Sequence, residues 1–205
     1  MKTKSTLLSL LFLSLLFHLI VTTVSAQRRS RDEWQQPTAI MDSVGIKPGM
    51  IIGEAGAGDG YFTFHLSKRV GKYGLIYAND IDERSLKELQ HRMQRDTVLN
   101  IQTILGTLDD PLFPRGKLDM IVMMTAFHDF TKPVEWMKNA VPCLKPGGRL
   151  VIIDPDPDKM KARWDHFLTR EQLTTRMSNT VFTLERVLTF LEQDNIYIYK
   201  PAISR

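Results

Sequence analysis

Residues 51–60 read IIGEAGAGDG, and this decapeptide decides how the rest of the chain is read. A short apolar strand, Met50–Glu54, runs straight into glycines at 56, 58 and 60. Glycines there remove Cβ atoms where a strand turns sharply into a helix, and they let backbone N–H groups approach a ligand closely. Asp80 follows the next apolar run, Leu75–Asn79. A carboxylate at the tip of an adjacent strand can accept hydrogen bonds from a ribose diol. Together these features predict a nucleoside site at the carboxyl ends of neighbouring parallel strands. The dinucleotide fingerprint is disfavoured, because its last glycine falls one place later, where this chain has Tyr61.

Outward from this stretch, short apolar runs alternate with amphipathic ones, the pattern of an α/β domain with a mainly parallel sheet. A helix from Pro37 carries Ile40, Met41 and Val44 inward and stops at Gly45. Tyr61–Val70 is a second helix, with Phe62, Leu66 and Val70 on one face. Glu83–Met93 is a third, burying Leu86, Leu89 and Met93. Further strands are expected at Ile101–Leu105, Asp119–Met124 and Arg149–Asp154, the last fed by a turn at Lys145–Gly148. The helix before that turn, from Pro133 to about Leu144, is read with Val134, Met137 and Val141 on its core face. Past a loop at Pro155–Thr169 come a helix near Arg170–Met177 and two apolar runs, Val181–Phe190 and Ile196–Tyr199. Glu192–Asn195 joins those runs as a hairpin turn would. The expectation is a seven-stranded, mostly parallel sheet with a C-terminal antiparallel hairpin and helices on both faces.

Glu54-Ala55-Gly56-Ala57-Gly58-Asp59-Gly60 resembles the first motif of the class I S-adenosylmethionine-dependent methyltransferases: an acidic residue, an apolar one, then G-x-G-x-G. Further likenesses follow in the family's order. Tyr77–Asp82 resembles the second-strand motif, with Asp80 in the ribose-binding position. Gly106–Pro111 resembles the loop that flanks adenine, although many relatives carry an acidic residue where this chain has Thr107. Adenine contact then passes to Leu108 and Asp109. Leu118–Val122 resembles the fourth-strand motif, and Leu144–Leu150 the turn before strand five. The resemblance covers about residues 34–200. It implies a Rossmann-like α/β fold, S-adenosyl-L-methionine as cofactor, and methyl transfer to an acceptor. The implied cofactor-binding residues are Glu54, Gly56, Ala57, Gly58, Gly60, Asp80, Leu108, Asp109 and Thr125, the last through its backbone at the end of strand four. The chain has no large inserted substrate domain, which favours a small-molecule acceptor. The alternative is a non-catalytic nucleoside-binding domain of the same fold.

A sulfonium methyl is already activated, so the protein must hold the acceptor in line and exclude water. Where the acceptor must lose a proton, a nearby base helps. The candidate is His128, in Ala126-Phe127-His128-Asp129-Phe130, just past the fourth strand and beside Asp129. The alternative is that His128 caps the following helix or shapes the pocket. Asp154, Asp156 and Asp158 alternate with prolines and suggest a hard cation, but the prolines point to a stiff, solvated loop, and no metal site is expected. His65 and His91 are read as surface or half-buried helix residues, and Cys143 as a buried thiol. Trp34 either closes over the pocket or covers the core.

The 205 residues are 43% hydrophobic and 24% charged, with 12 glycines and 10 prolines, which excludes collagen-like and disordered classes. A single cysteine excludes a disulfide framework within the monomer. Lys2 and Lys4 lie in the opening segment, and the remainder carries 25 basic against 23 acidic residues. That excess is too small for a nucleic-acid partner, which needs clustered Lys and Arg. Residues 1–26, MKTKSTLLSLLFLSLLFHLIVTTVSA, have the charged start, apolar middle and small-residue end of a signal peptide. Cleavage after Ala26 would leave a single domain, 27–205, exported to the periplasm or medium and without stable membrane association. The rival is an uncleaved anchor at residues 7–24, favoured by Arg28, Arg29 and Arg31 just beyond it.

Overall fold

The computed structural model describes residues 30–160 and 165–202. The expected leader at 1–26, and the rival anchor at 7–24, lie outside the described residues. Two compact units divide at Glu33 and Trp34. In the first unit, Glu33 accepts from the Ser30 N–H and donates its own N–H to the Ser30 hydroxyl. This reciprocal pair is a capping box, and it opens helix α1, Arg31–Gln35. Among the described residues, no helix is long and apolar enough to cross a membrane.

The second unit holds the fold. Seven strands form one sheet: β1 Ile51–Ala55, β2 Leu75–Asp80, β3 Ile101–Leu105, β4 Leu118–Met124, β5 Leu144–Pro155, β6 Phe182–Leu188 and β7 Asp194–Pro201. Their order is β3-β2-β1-β4-β5-β7-β6. The first five strands are mutually parallel, and β7 runs antiparallel to both β5 and β6. The expected terminal hairpin is therefore present. Parallel strands covered on both faces read as continuous apolar runs, which is why β4 and β5 look as they do in sequence. From β1 the chain winds outward to β3, then returns across β1 to place β4 on its other side. Ligands bind at such a reversal, outside the carboxyl ends of the strands.

Helices cover both faces. On one, α2 (Pro37–Val44), α3 (Tyr61–Val70) and α4 (Glu83–Arg95) pack Ile40, Phe62, Leu66, Leu86 and Leu89 onto the sheet. On the other, α5 (Pro133–Ala140) and α6 (Arg170–Ser178) bury Trp136, Met137, Leu173 and Met177 against Ile121, Ile152 and Tyr197.

Four expectations need correction. Helix α5 ends at Ala140 and gives way to a 3-10 turn over Val141–Cys143, because Pro142 cannot continue an α-helix. Its inward face is Trp136, Met137 and Ala140, while Val134 is 41% exposed. Lys145–Gly148 is not a separate turn but a bulge within β5, where the pairing with β4 slips between Leu118 and Met120. Asp194 and Asn195 belong to β7, not to the hairpin turn. Finally, Asp154 and Asp156 are buried, and only Asp158 of the three carboxylates is exposed. Strand β5 extends through Pro155 because its antiparallel partner pairs Asp154 with Asn195 and Pro155 with Asp194.

Candidate active site

A cavity of about 340 Å³ opens at the carboxyl ends of β1, β2 and β4, within the usual range of small-molecule sites. Its floor is the glycine loop. The N–H groups of Gly56 and Ala57 both donate to the Asn79 carbonyl, which folds the loop over the end of β2. Gly56 (φ +76°) lies so close to Ala126 that a β-carbon there would overlap it. Gly58 (φ +54°) is different. It lines the cavity, and a β-carbon there would meet no atom within 4 Å. A side chain at 58 would therefore project into the space a ligand needs.

Asp80 lines the same cavity. One of its oxygens accepts from the Gly58 N–H at 2.8 Å and the other from the Asp82 N–H at 2.9 Å. These bonds hold the carboxylate at the strand tip and tie it to the glycine loop. Asp82 in turn caps α4 by accepting from the Arg84 N–H. Ile81 and Leu108, 56% and 49% exposed, stand at the cavity rim. Thr125, at the end of β4, also lines it and takes the left-handed conformation (φ +54°), which is rare for a β-branched residue. Its N–H donates to the Ile153 carbonyl at 2.7 Å, and its hydroxyl accepts from the Gln35 side-chain amide at 3.3 Å.

The remaining expected residues sit nearby without lining the cavity. Glu54 is buried in β1, between Ala78 of β2 and Val122 of β4. Gly60 starts α3, and a β-carbon there would press on Leu89. Asp109 turns away, accepting from the Thr107 hydroxyl at 2.8 Å and pairing with Lys132 at 3.4 Å. The Thr107 hydrogen bond, with help from Lys132, holds its carboxyl below the usual range.

His128 also needs relocating. Its imidazole is nearly fully buried and lies behind the wall of the cavity, whereas its neighbours Asp129 and Phe130 line it. Its Nδ1 is 3.0 Å from Asp154, and its backbone N–H donates to the same carboxylate at 3.1 Å. Its Nε2 faces Asp129 at 3.4 Å. Burial by itself would lower the His128 pKa. The hydrogen bond and charge of Asp154, with the charge of Asp129, outweigh that and hold it above its ordinary value. Burial also pushes the Asp154 carboxyl upward, against the pull of His128.

Sequence reasoning missed part of the wall: Asn79, Thr131 and Trp136 line the cavity too. Asn79 is buried, donates to the Pro111 carbonyl at 2.8 Å, and occupies the space a β-carbon at Gly106 would need. The signal was present, since Asn79 directly precedes Asp80 and Gly106 directly follows β3.

The fold is the Rossmann-like fold of solved methyltransferases. Residues 52–148 match the family described as a methyltransferase domain. The chain is similar to the ubiquinone/menaquinone biosynthesis C-methyltransferase UbiE of Shewanella sediminis, 26% identical over 136 residues, covering 64% of this chain and 53% of that one. It is similar also to the demethylmenaquinone methyltransferase of Lactococcus lactis, 27% identical over 126 residues, covering 62% and 49%. The chain thus spans about half the length of the curated relatives it matches. Among solved structures, an S-adenosylmethionine-dependent methyltransferase from Aquifex aeolicus superimposes with a TM-score of 0.78 at 21% identity, covering 83% of this chain and 92% of that one.

Proposed function

We propose that the chain binds S-adenosylmethionine in this cavity and catalyses transfer of its methyl group to a small-molecule acceptor. The observation that carries the reading is the joint between Asp80 and Gly58. A strand-tip carboxylate is locked at 2.8 Å to a glycine whose missing side chain leaves the cavity open. In this reading Asp80 accepts the ribose hydroxyls, Gly56 and Gly58 bring backbone close to the cofactor, and Ile81 and Leu108 flank the adenine. When bound, the cofactor supplies a methyl group already activated on a sulfonium.

The chain's own residues then orient the acceptor and exclude water. Phe130 and Trp136, whose rings meet edge to face at 5.2 Å, give one wall an aromatic surface. Asp129 and Thr131 add polar groups beside it. Such a wall suits a flat, partly polar molecule, and the relatives named for quinone biosynthesis support a small acceptor. His128 stands behind Asp129 and acts on the cavity through it.

The test is calorimetric titration of the full chain with S-adenosylhomocysteine, alongside Asp80→Ala. Wild type should bind one equivalent. The variant should lose about 1.5–3 kcal/mol, the range for hydrogen bonds to a charged group. No wild-type binding at millimolar ligand would sink the proposal. Turnover is then followed by mass spectrometry with S-adenosylmethionine and a panel of phenols and quinols. Binding with no methylated product from any of them would favour the non-catalytic reading.

A further inference from the structure

At the edge of the cavity, two imidazoles flank one carboxylate. Asp129 sits with Oδ2 3.4 Å from His128 Nε2 and Oδ1 3.3 Å from His166 Nε2. Both separations exceed the roughly 2.7–2.9 Å of a charge-assisted N–H···O bond. Each also falls within the spacing a bound ion sets between two of its ligand atoms, with a different oxygen of Asp129 facing each imidazole. A tetrahedral ion with bonds of about 2.0–2.2 Å sets its ligand atoms about 3.3–3.6 Å apart. One ligand atom from each of the three side chains lies within 4.8 Å of the other two. Two of the chain's five histidines meet here, although 38 residues separate them.

Asp154 prepares the arrangement. Both of its oxygens lie within hydrogen-bond reach of Nδ1, at 3.0 and 3.1 Å, so the tautomer protonated at Nδ1 leaves the Nε2 lone pair facing Asp129. A buried carboxylate behind a histidine is the usual outer support of a metal ligand. Phe167 and the His166 ring pack against the His128 ring at 4.8 Å and fix its plane.

We propose that His128, Asp129 and His166 bind one divalent transition-metal ion at the rim of the cavity. Two imidazoles and a carboxylate, with no thiolate, suit zinc and its neighbours rather than magnesium or calcium. Three protein ligands leave a fourth position open. Asp129, which lines the cavity, sets that position at its edge. If the methyltransferase reading holds, the open position faces an oxygen-bearing acceptor. The metal site itself stands apart from that reading.

The test uses the full chain with Co²⁺, whose visible absorbance reports tetrahedral coordination, and Zn²⁺ as competitor. One Co²⁺ per chain should bind and be displaced by Zn²⁺. His166→Ala and Asp154→Asn should each weaken it at least about tenfold. The His166 side chain is 61% exposed, so its removal should leave the unfolding midpoint unchanged and isolate the metal effect from folding. S-adenosylhomocysteine should bind His166→Ala within a few-fold of wild type. Substoichiometric Co²⁺ binding by wild type, or equal affinity in His166→Ala, would overturn the site. Stoichiometric Co²⁺ binding by a wild-type chain that ignores S-adenosylhomocysteine would support the metal site and remove the methyltransferase reading.

Discussion

Nδ1 of His128 lies 3.0 Å from one oxygen of Asp154 and 3.1 Å from the other, across 26 residues of sequence. The sheet brings them together. His128 follows β4 by a few residues, Asp154 sits near the end of β5, and the two strands pair from Met120–Arg149 through Met124–Ile153.

Asp154→Ala leaves both the imidazole and the backbone N–H of His128 without their acceptor, in a site where both side chains are almost wholly buried. Breaking such a pair costs about 3–5 kcal/mol. Urea unfolding should show a loss of this size, while S-adenosylhomocysteine affinity moves at most a few-fold because neither side chain lines the cavity. A stability change below about 1 kcal/mol would mean that the pair is solvated.

The two glycines of the loop should respond differently to asparagine, which tolerates the left-handed conformation. Gly58→Asn should fold with near wild-type stability and lose ligand binding, since its side chain enters open space. Gly56→Asn should lose stability, because its β-carbon overlaps Ala126. Equal behaviour of the two variants in both assays would show that the loop has no division of labour.

Tyr197 and Tyr199 lie buried on β7. Burial pushes the Tyr197 phenol up to about 12 and raises Tyr199 as well. An unfolded chain loses these protons near pH 10. Above that pH the unfolded state binds fewer protons than the folded one, so stability falls as pH rises from 10 toward 12. Tyrosinate absorbance should accordingly show these two phenols ionising late and together with unfolding. Tyr199→Phe removes a buried hydroxyl that has no hydrogen-bond partner among the described residues, and should raise stability by about 1 kcal/mol.

Cys143 is 3% exposed, and its thiol donates to the Phe113 carbonyl at 3.3 Å. Burial pushes its pKa up, which depletes the reactive thiolate. At pH 8 a thiol reagent should label the native chain far more slowly than the denatured one. Equal rates would contradict the packing.

The glycine loop and Asp80 were legible because each rests on local chemistry: Gly58 on backbone access, Asp80 on its place at a strand tip. The His128–Asp154 pair was not, since it depends on the register of two strands. The prolines at 155 and 157 also suggested solvent where β7 actually covers the chain. Helix α5 misled for a different reason. Eight residues make too few turns for periodicity to separate Val134 from Trp136, and an amphipathic tryptophan fits either face until the cavity wall claims it. His166 lies in a stretch with no periodic pattern, so nothing in the sequence pointed to its meeting with Asp129.

Asn79 and Gly106 carry a further implication. The asparagine side chain fills the space a β-carbon at 106 would take, and it tethers the Pro111 carbonyl. The two positions therefore form one heritable unit. A side chain gained at 106 requires Asn79 to swing aside or shrink, and either change removes the tether on the Pro111 carbonyl.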